Sequence, residues 1–164
     1  MTTHHTTRWF RLAMLSLSTL LALLLATGAT AASACKKING QITLQALPSS
    51  ACASSISLCA SGSLRGDLAG TSFFVGTSQA VTADTPATSV ILLTGDNAID
   101  TGDGILKTKD AIVLRTAGDG SFGEVDTVIG GTGKWAGATG VFRAQGTFAN
   151  GGGHGEYIGE ICTP

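Results

Sequence analysis

Side chains able to do chemistry are sparse in this sequence. Glu124 and Asp126 stand two residues apart, Arg143 follows, and Glu156 and Tyr157 lie near the end. Two carboxyls at positions i and i+2 share one face of an extended strand. If that face is buried, such a pair suits acid–base work or the orientation of a bound polar group. Cys35, Cys52, Cys59 and Cys162 form a second set, and the histidines are His4, His5 and His154.

How many of these groups share one compartment depends on the start of the chain. Arg8 and Arg11 precede an apolar run, Leu12 to Ala26, and small residues follow up to Ala34. That order is the pattern of a cleaved export signal, and both Ala29-Thr30-Ala31 and Ala32-Ser33-Ala34 fit its cleavage site. The expected organisation is a signal peptide over 1–34 and one domain over 35–164, secreted or held in the cell envelope. A stable membrane span is not expected, because spanning takes about 20 apolar residues. Lipid anchoring at Cys35 is the less favoured alternative, since Ala32 stands where such signals usually carry Leu. Without the leader His154 is the only histidine. That excludes a zinc site built on several histidines and leaves a Ser-His-Asp triad one possible base. The net charge of −1 becomes −3 with Arg8 and Arg11 removed. No basic block exists, so nucleic acid is not an expected partner.

All four cysteines follow the leader. An even number in an exported chain reads as two disulfides, with three possible pairings. Cys52–Cys59, closing a local loop, and Cys35–Cys162, tying the domain's ends, are favoured. Cys-x6-Cys is not a zinc-knuckle pair, so no metal is expected here.

The elements that must position these groups are strands. The chain has 164 residues, 43% hydrophobic and 13% charged, with 23 glycines and 3 prolines. Glycine-free stretches are short, which leaves little room for long helices. Alternation is visible instead: Ile38 to Ala46, Leu64 to Gly70, Phe73 to Val75, Val90 to Leu93, Ile105 to Arg115, Phe122 to Ile129, Val141 to Ala149 and His154 to Cys162. Phe142, Ala144, Gly146 and Phe148 oppose Arg143, Gln145 and Thr147. Tyr157, Gly159 and Ile161 oppose Glu156, Ile158 and Glu160, which makes Tyr157 a core residue with a tethered hydroxyl. About seven or eight strands joined by glycine turns fit a closed barrel or a sandwich, the barrel being preferred because closure removes exposed edges.

The strand over 122–129 has two readings. In one, Glu124 and Asp126 join Arg143 at the barrel mouth or inside it. In the other, Val125, Thr127 and Ile129 face inward and the carboxyls face water. The second is the expectation. Asp96, Asn97, Asp100 and Asp103 read as a solvated loop without EF-hand spacing. Gly118-Asp119-Gly120-Ser121-Phe122-Gly123 and Gly131-Thr132-Gly133-Lys134-Trp135-Ala136 match a dinucleotide fingerprint. Strands rather than helices follow both, so no nucleotide and no other cofactor is expected.

The segment Gly130-Gly131-Thr132-Gly133-Lys134-Trp135-Ala136-Gly137-Ala138-Thr139-Gly140, with Gly146-Thr147-Phe148 and Tyr157-x-Gly159, resembles the allene oxide cyclase-like and dirigent barrel proteins. The resemblance covers residues 124–162 well. Upstream, Cys52, Leu58-Cys59-x-x-Gly62, Gly66, Gly70 and Thr108-Lys109-Asp110-Ala111 look like a bacterial, secreted branch of that family. It implies an all-β fold: a single eight-stranded antiparallel, calycin-like barrel following the N-terminal signal helix. No catalytic residue of the plant cyclases matches a position here, so none is carried over.

Three functions fit these readings. The first is a secreted barrel that binds a small apolar molecule or serves as a non-catalytic scaffold, with Glu124, Asp126, Arg143 and Tyr157 as candidate pocket residues. The second is an isomerase or cyclase guiding a small hydrophobic substrate by shape. The third is an envelope or matrix interaction protein.

Overall fold

The computed structural model describes residues 33–81 and 90–164. The expected signal segment, apart from its last residues, lies outside the described residues, as does Pro86. Among the described residues no helix is long and apolar enough to cross a membrane.

Eight strands follow one another: β1 (Ala34–Ala46), β2 (Cys59–Gly66), β3 (Gly70–Val81), β4 (Val90–Asp100), β5 (Ile105–Arg115), β6 (Ser121–Gly131), β7 (Thr139–Ala149) and β8 (Gly152–Thr163). Each pairs antiparallel with the next, and β8 returns to β1, so the sheet closes into a barrel as the sequence led us to expect. The closing seam runs from Ala34 opposite Thr163 to Gln45 opposite Gly152. Cys35 and Cys162 are direct partners on that seam and are bonded to each other. Cys52–Cys59 closes the connection between β1 and β2.

Inner and outer faces follow from register. In an antiparallel pair, residues directly opposite each other point to the same side. β7 has an unambiguous phase: Phe142 and Ala144 are buried while Arg143 and Gln145 are exposed. Its partner β6 must follow, because Asp126 stands opposite Phe142, Glu124 opposite Ala144, and Val125 opposite Arg143. Glu124 and Asp126 therefore point into the barrel, and Val125 and Ile129 are 49% and 54% exposed. This overturns the expectation that Val125, Thr127 and Ile129 face inward. Arg143 projects from the outer wall and is no pocket residue. The acidic stretch is also corrected: Asp96, Asn97 and Asp100 belong to β4, with Asp96 opposite Lys109 and Asn97 opposite Thr108. An ion pair between the Lys109 ammonium and Asp96 holds that register from outside.

One end of the barrel is packed dry. Leu68, Ile99 and Leu106 are almost inaccessible, and Ile38, Val128, Trp135 and Ile161 join them. Trp135 enters from a single 3-10 turn, Gly133–Trp135, and its indole N–H donates to the Thr101 hydroxyl at 2.9 Å. The Lys134 ammonium lies 4.8 Å from the centre of the same ring. Tyr157 is 2% exposed, and its ring meets Phe142 edge-on with centroids 6.2 Å apart. Its hydroxyl accepts from the Leu68 N–H at 2.8 Å and donates to the Arg65 carbonyl at 3.0 Å. Gly40 makes room for that contact, since a Cβ there would run into the Arg65 carbonyl and the phenol. Outside, Asp67 accepts from the Asn39 N–H at 3.0 Å and pairs with Lys36 at 2.7 Å, tying the β2–β3 turn to β1.

Two stability predictions follow from these ties. Replacing Tyr157 with Phe leaves a buried N–H and a carbonyl without their partner, which costs about 2 kcal/mol in urea denaturation. Removing Cys35–Cys162 as a Cys→Ala pair costs more than removing Cys52–Cys59, about 4 against about 2 kcal/mol, because the first closes the far longer loop. Equal urea midpoints for the two double variants would contradict this.

Candidate functional site

Among the described residues, the other end of the barrel is not filled. A partly open cavity of about 120 Å³ lies between β1–β6 and the end of β7. Leu44, Phe74, Leu93, Leu114, Phe122 and Phe148 form most of its wall, and Ser72, Asn97 and Glu124 are its polar members. Each reaches the interior by strand alternation. Phe74 packs over Gly95 of β4, where a Cβ would run into its ring.

Beneath this wall lies a layer of acid. Asp110 on β5 stands directly opposite Asp126 on β6, and Glu124 is on the same inner face of β6. One carboxylate oxygen from each of Asp110, Glu124 and Asp126 lies within 4.8 Å of the other two. Asp110 and Asp126 are 3% and 2% exposed, whereas Glu124 lines the cavity. The Thr108 hydroxyl, which shares the inner face of β5, donates to Asp110 Oδ1 at 2.5 Å. Asn97, opposite Thr108 on β4, adds a favourable interaction with Asp110. Asp110 Oδ2 and Asp126 Oδ2 are buried and accept no hydrogen bond.

This arrangement raises all three acid pKa values. Burial does most of it, because a carboxylate loses hydration inside the barrel. Mutual repulsion adds to burial at Glu124, which is pushed up to about 8, and at Asp126, which is pushed well above the carboxylate range. Asp110 is raised by burial, against which interactions with Thr108, then Asp126, Glu124 and Asn97, work.

The candidate residues thus separate. Glu124 and Asp126 belong to one interior cluster. Tyr157 is inside but at the packed end, where its hydroxyl is bound to backbone, and Arg143 is outside. The cluster's third carboxyl, Asp110, is missing from the candidates read in the sequence. Lys107, Lys109 and Arg115 mark the outer face of β5, and that alternation leaves Thr108 and Asp110 on the inner one. His154 and Glu156 are exposed, and Glu156 accepts from the Gln145 amide on the outer wall at 2.9 Å. No family model, no curated protein and no solved structure matches this chain.

The cluster makes stability depend on pH. Glu124 has an ordinary value of 4.5 and rises to about 8 on folding, so the folded barrel holds a proton that the unfolded chain releases between those values. Its stabilising contribution is complete below about pH 4.5 and is lost as the pH rises through about 8. In buffer stripped of divalent ions, urea denaturation should show a barrel markedly more stable at pH 5 than at pH 8.5. Glu124→Gln should flatten that slope. An identical slope in the variant would show that Glu124 does not titrate inside the barrel.

Proposed function

We propose that this chain is an exported, disulfide-stabilised barrel that holds a small apolar molecule in the cavity above Glu124. The cavity carries the reading. Its wall is almost wholly aliphatic and aromatic, with few polar groups, the composition of a small-molecule site rather than of a solvent channel. An apolar cavity of about 150 Å³ is enough for a single aromatic ring, so about 120 Å³ with a partly open end suits one ring or a short branched chain. The two disulfides support export, because such bonds persist in oxidising compartments. The closed eight-stranded sheet and the 130–140 segment support kinship with the allene oxide cyclase-like and dirigent barrels.

A second reading, an isomerase or cyclase guided by shape, draws on the inward carboxyl of Glu124. An acid with a raised pKa at the floor of an apolar pocket is the group such chemistry needs. Association of the outer wall with other envelope components draws on exposed Val125, Val141 and Ile158, which surround Arg143.

The test combines native mass spectrometry of the exported protein with calorimetric titration of p-xylene and indole. The expected result is one retained or added small molecule per chain. Leu114→Trp, which fills the cavity, should weaken the titrated binding at least tenfold. If the unmodified barrel takes up neither probe and retains no mass, the cavity is not a binding site. Recovery of a retained ligand in altered form from the parent protein, but unaltered from Glu124→Gln, would favour the enzyme.

A further inference from the structure

We propose that Asp110, Glu124 and Asp126 form a binding site for one divalent hard cation of about calcium size. Three carboxyls meet inside this barrel, and among the described residues no lysine, arginine or histidine is buried with them. Every basic side chain near them, including Lys107, Lys109 and Arg143, is exposed on the outer wall. Burying ionised carboxylates without a countercharge is among the costliest arrangements a fold can hold. Without a cation the cluster escapes that cost only by holding protons; a divalent cation that displaces them would leave a single uncompensated charge among three carboxylates.

The donor set is all oxygen, which is what calcium and magnesium take and what zinc or copper do not prefer. Oxygens bound to calcium at about 2.4 Å lie at most about 4.8 Å apart across the ion. The three donor oxygens here fall within 4.8 Å of one another, so one ion can touch all three with little movement.

Two further observations point to a ligand rather than to a mere excess of acid. Asp110 Oδ2 and Asp126 Oδ2 belong to side chains 3% and 2% exposed, and neither oxygen accepts a hydrogen bond. They are acceptors without a donor, which is rare in a folded interior. Asp110 is also braced as an anion, because Thr108 donates to its other oxygen. Metal-binding carboxylates are oriented in this way by neighbouring donors. Glu124 supplies the way in, since it belongs both to the cluster and to the wall of the open cavity.

The site stands whether or not the cavity above it holds an apolar molecule. Its test uses the full chain, stripped with chelator and held at pH 8, where protons compete less than at neutral or acid pH. Calcium, magnesium and manganese are titrated singly by calorimetry, with native mass spectrometry for stoichiometry and thermal melting for linkage. The expected result is one calcium ion per chain and a melting temperature that rises with its concentration. Asp126→Asn and Asp110→Asn should each weaken binding at least tenfold. Both replace a buried acid with a neutral side chain of nearly the same shape, so both should still fold. Asp96→Asn, at an exposed carboxylate, should bind as the parent does. Absence of saturable uptake of all three ions up to about 1 mM, the weak end for extracellular calcium modules, would overturn the proposal. So would Asp126→Asn and Asp110→Asn variants that bind as tightly as the parent.

Discussion

The pairing of β8 with β1 decides what every other residue in this fold can do. Once that seam closes, each strand has an inside and an outside, and a shift of one residue would exchange them completely. The seam is the longest-range strand pairing in the domain, so it closes the longest loop in the sheet. Cys35–Cys162 lies across the seam and removes much of that loop's closure entropy from the unfolded chain. Tyr157, also on β8, bonds backbone beside the β2–β3 turn and so fastens the seam strand to the neighbouring hairpin. A covalent tie and a buried hydroxyl thus act on the same junction from opposite surfaces of the sheet.

With the barrel closed, its contents are layered. Leu68, Ile99, Leu106 and Trp135 fill one end tightly, and the carboxyls of Asp110 and Asp126 occupy the middle. Above them the wall is apolar again but leaves space. A polar layer between two apolar ones stops the dry core from extending through the whole barrel. Filling the upper half with larger side chains would press hydrocarbon onto acids that already lack partners. The cavity and the acid layer are contiguous. Glu124 is the residue common to both.

The architecture could be read from the sequence wherever the two faces of a strand differ in kind. In β7 the contrast of Phe142, Ala144 and Phe148 with Arg143, Gln145 and Thr147 allows one phase only. In β8 Tyr157 and Ile161 against Glu156 and Glu160 do the same. β6 lacks that contrast: Phe122 and Val128 lie on one face, Val125 and Ile129 on the other. Its phase is imposed by β7 through register, and no property of the 121–131 segment alone contains it. The stretch from Asp96 to Asp103 misleads for a related reason. Its acids look like solvated loop chemistry, yet Asp96 is outward strand surface paired to Lys109, and Asn97 beside it faces in.

Asp110 shows why sites of this kind escape a residue-by-residue reading. Its neighbours in sequence are Lys109 and Ala111, and nothing there announces a buried acid. What makes it significant is the residue opposite, Asp126, on a strand whose phase is itself fixed by a third. The chemistry therefore arises at the level of strand pairing. β7 sets β6, β6 brings Glu124 and Asp126 to the interior, and β5 supplies Asp110 with Thr108 already bonded to it. A charge cluster assembled in this way is neutralised by a small species, a proton or a cation, because every basic side chain among the described residues is exposed to solvent. Glu124 borders both that acid layer and the apolar space above it, so the two meet at a single side chain.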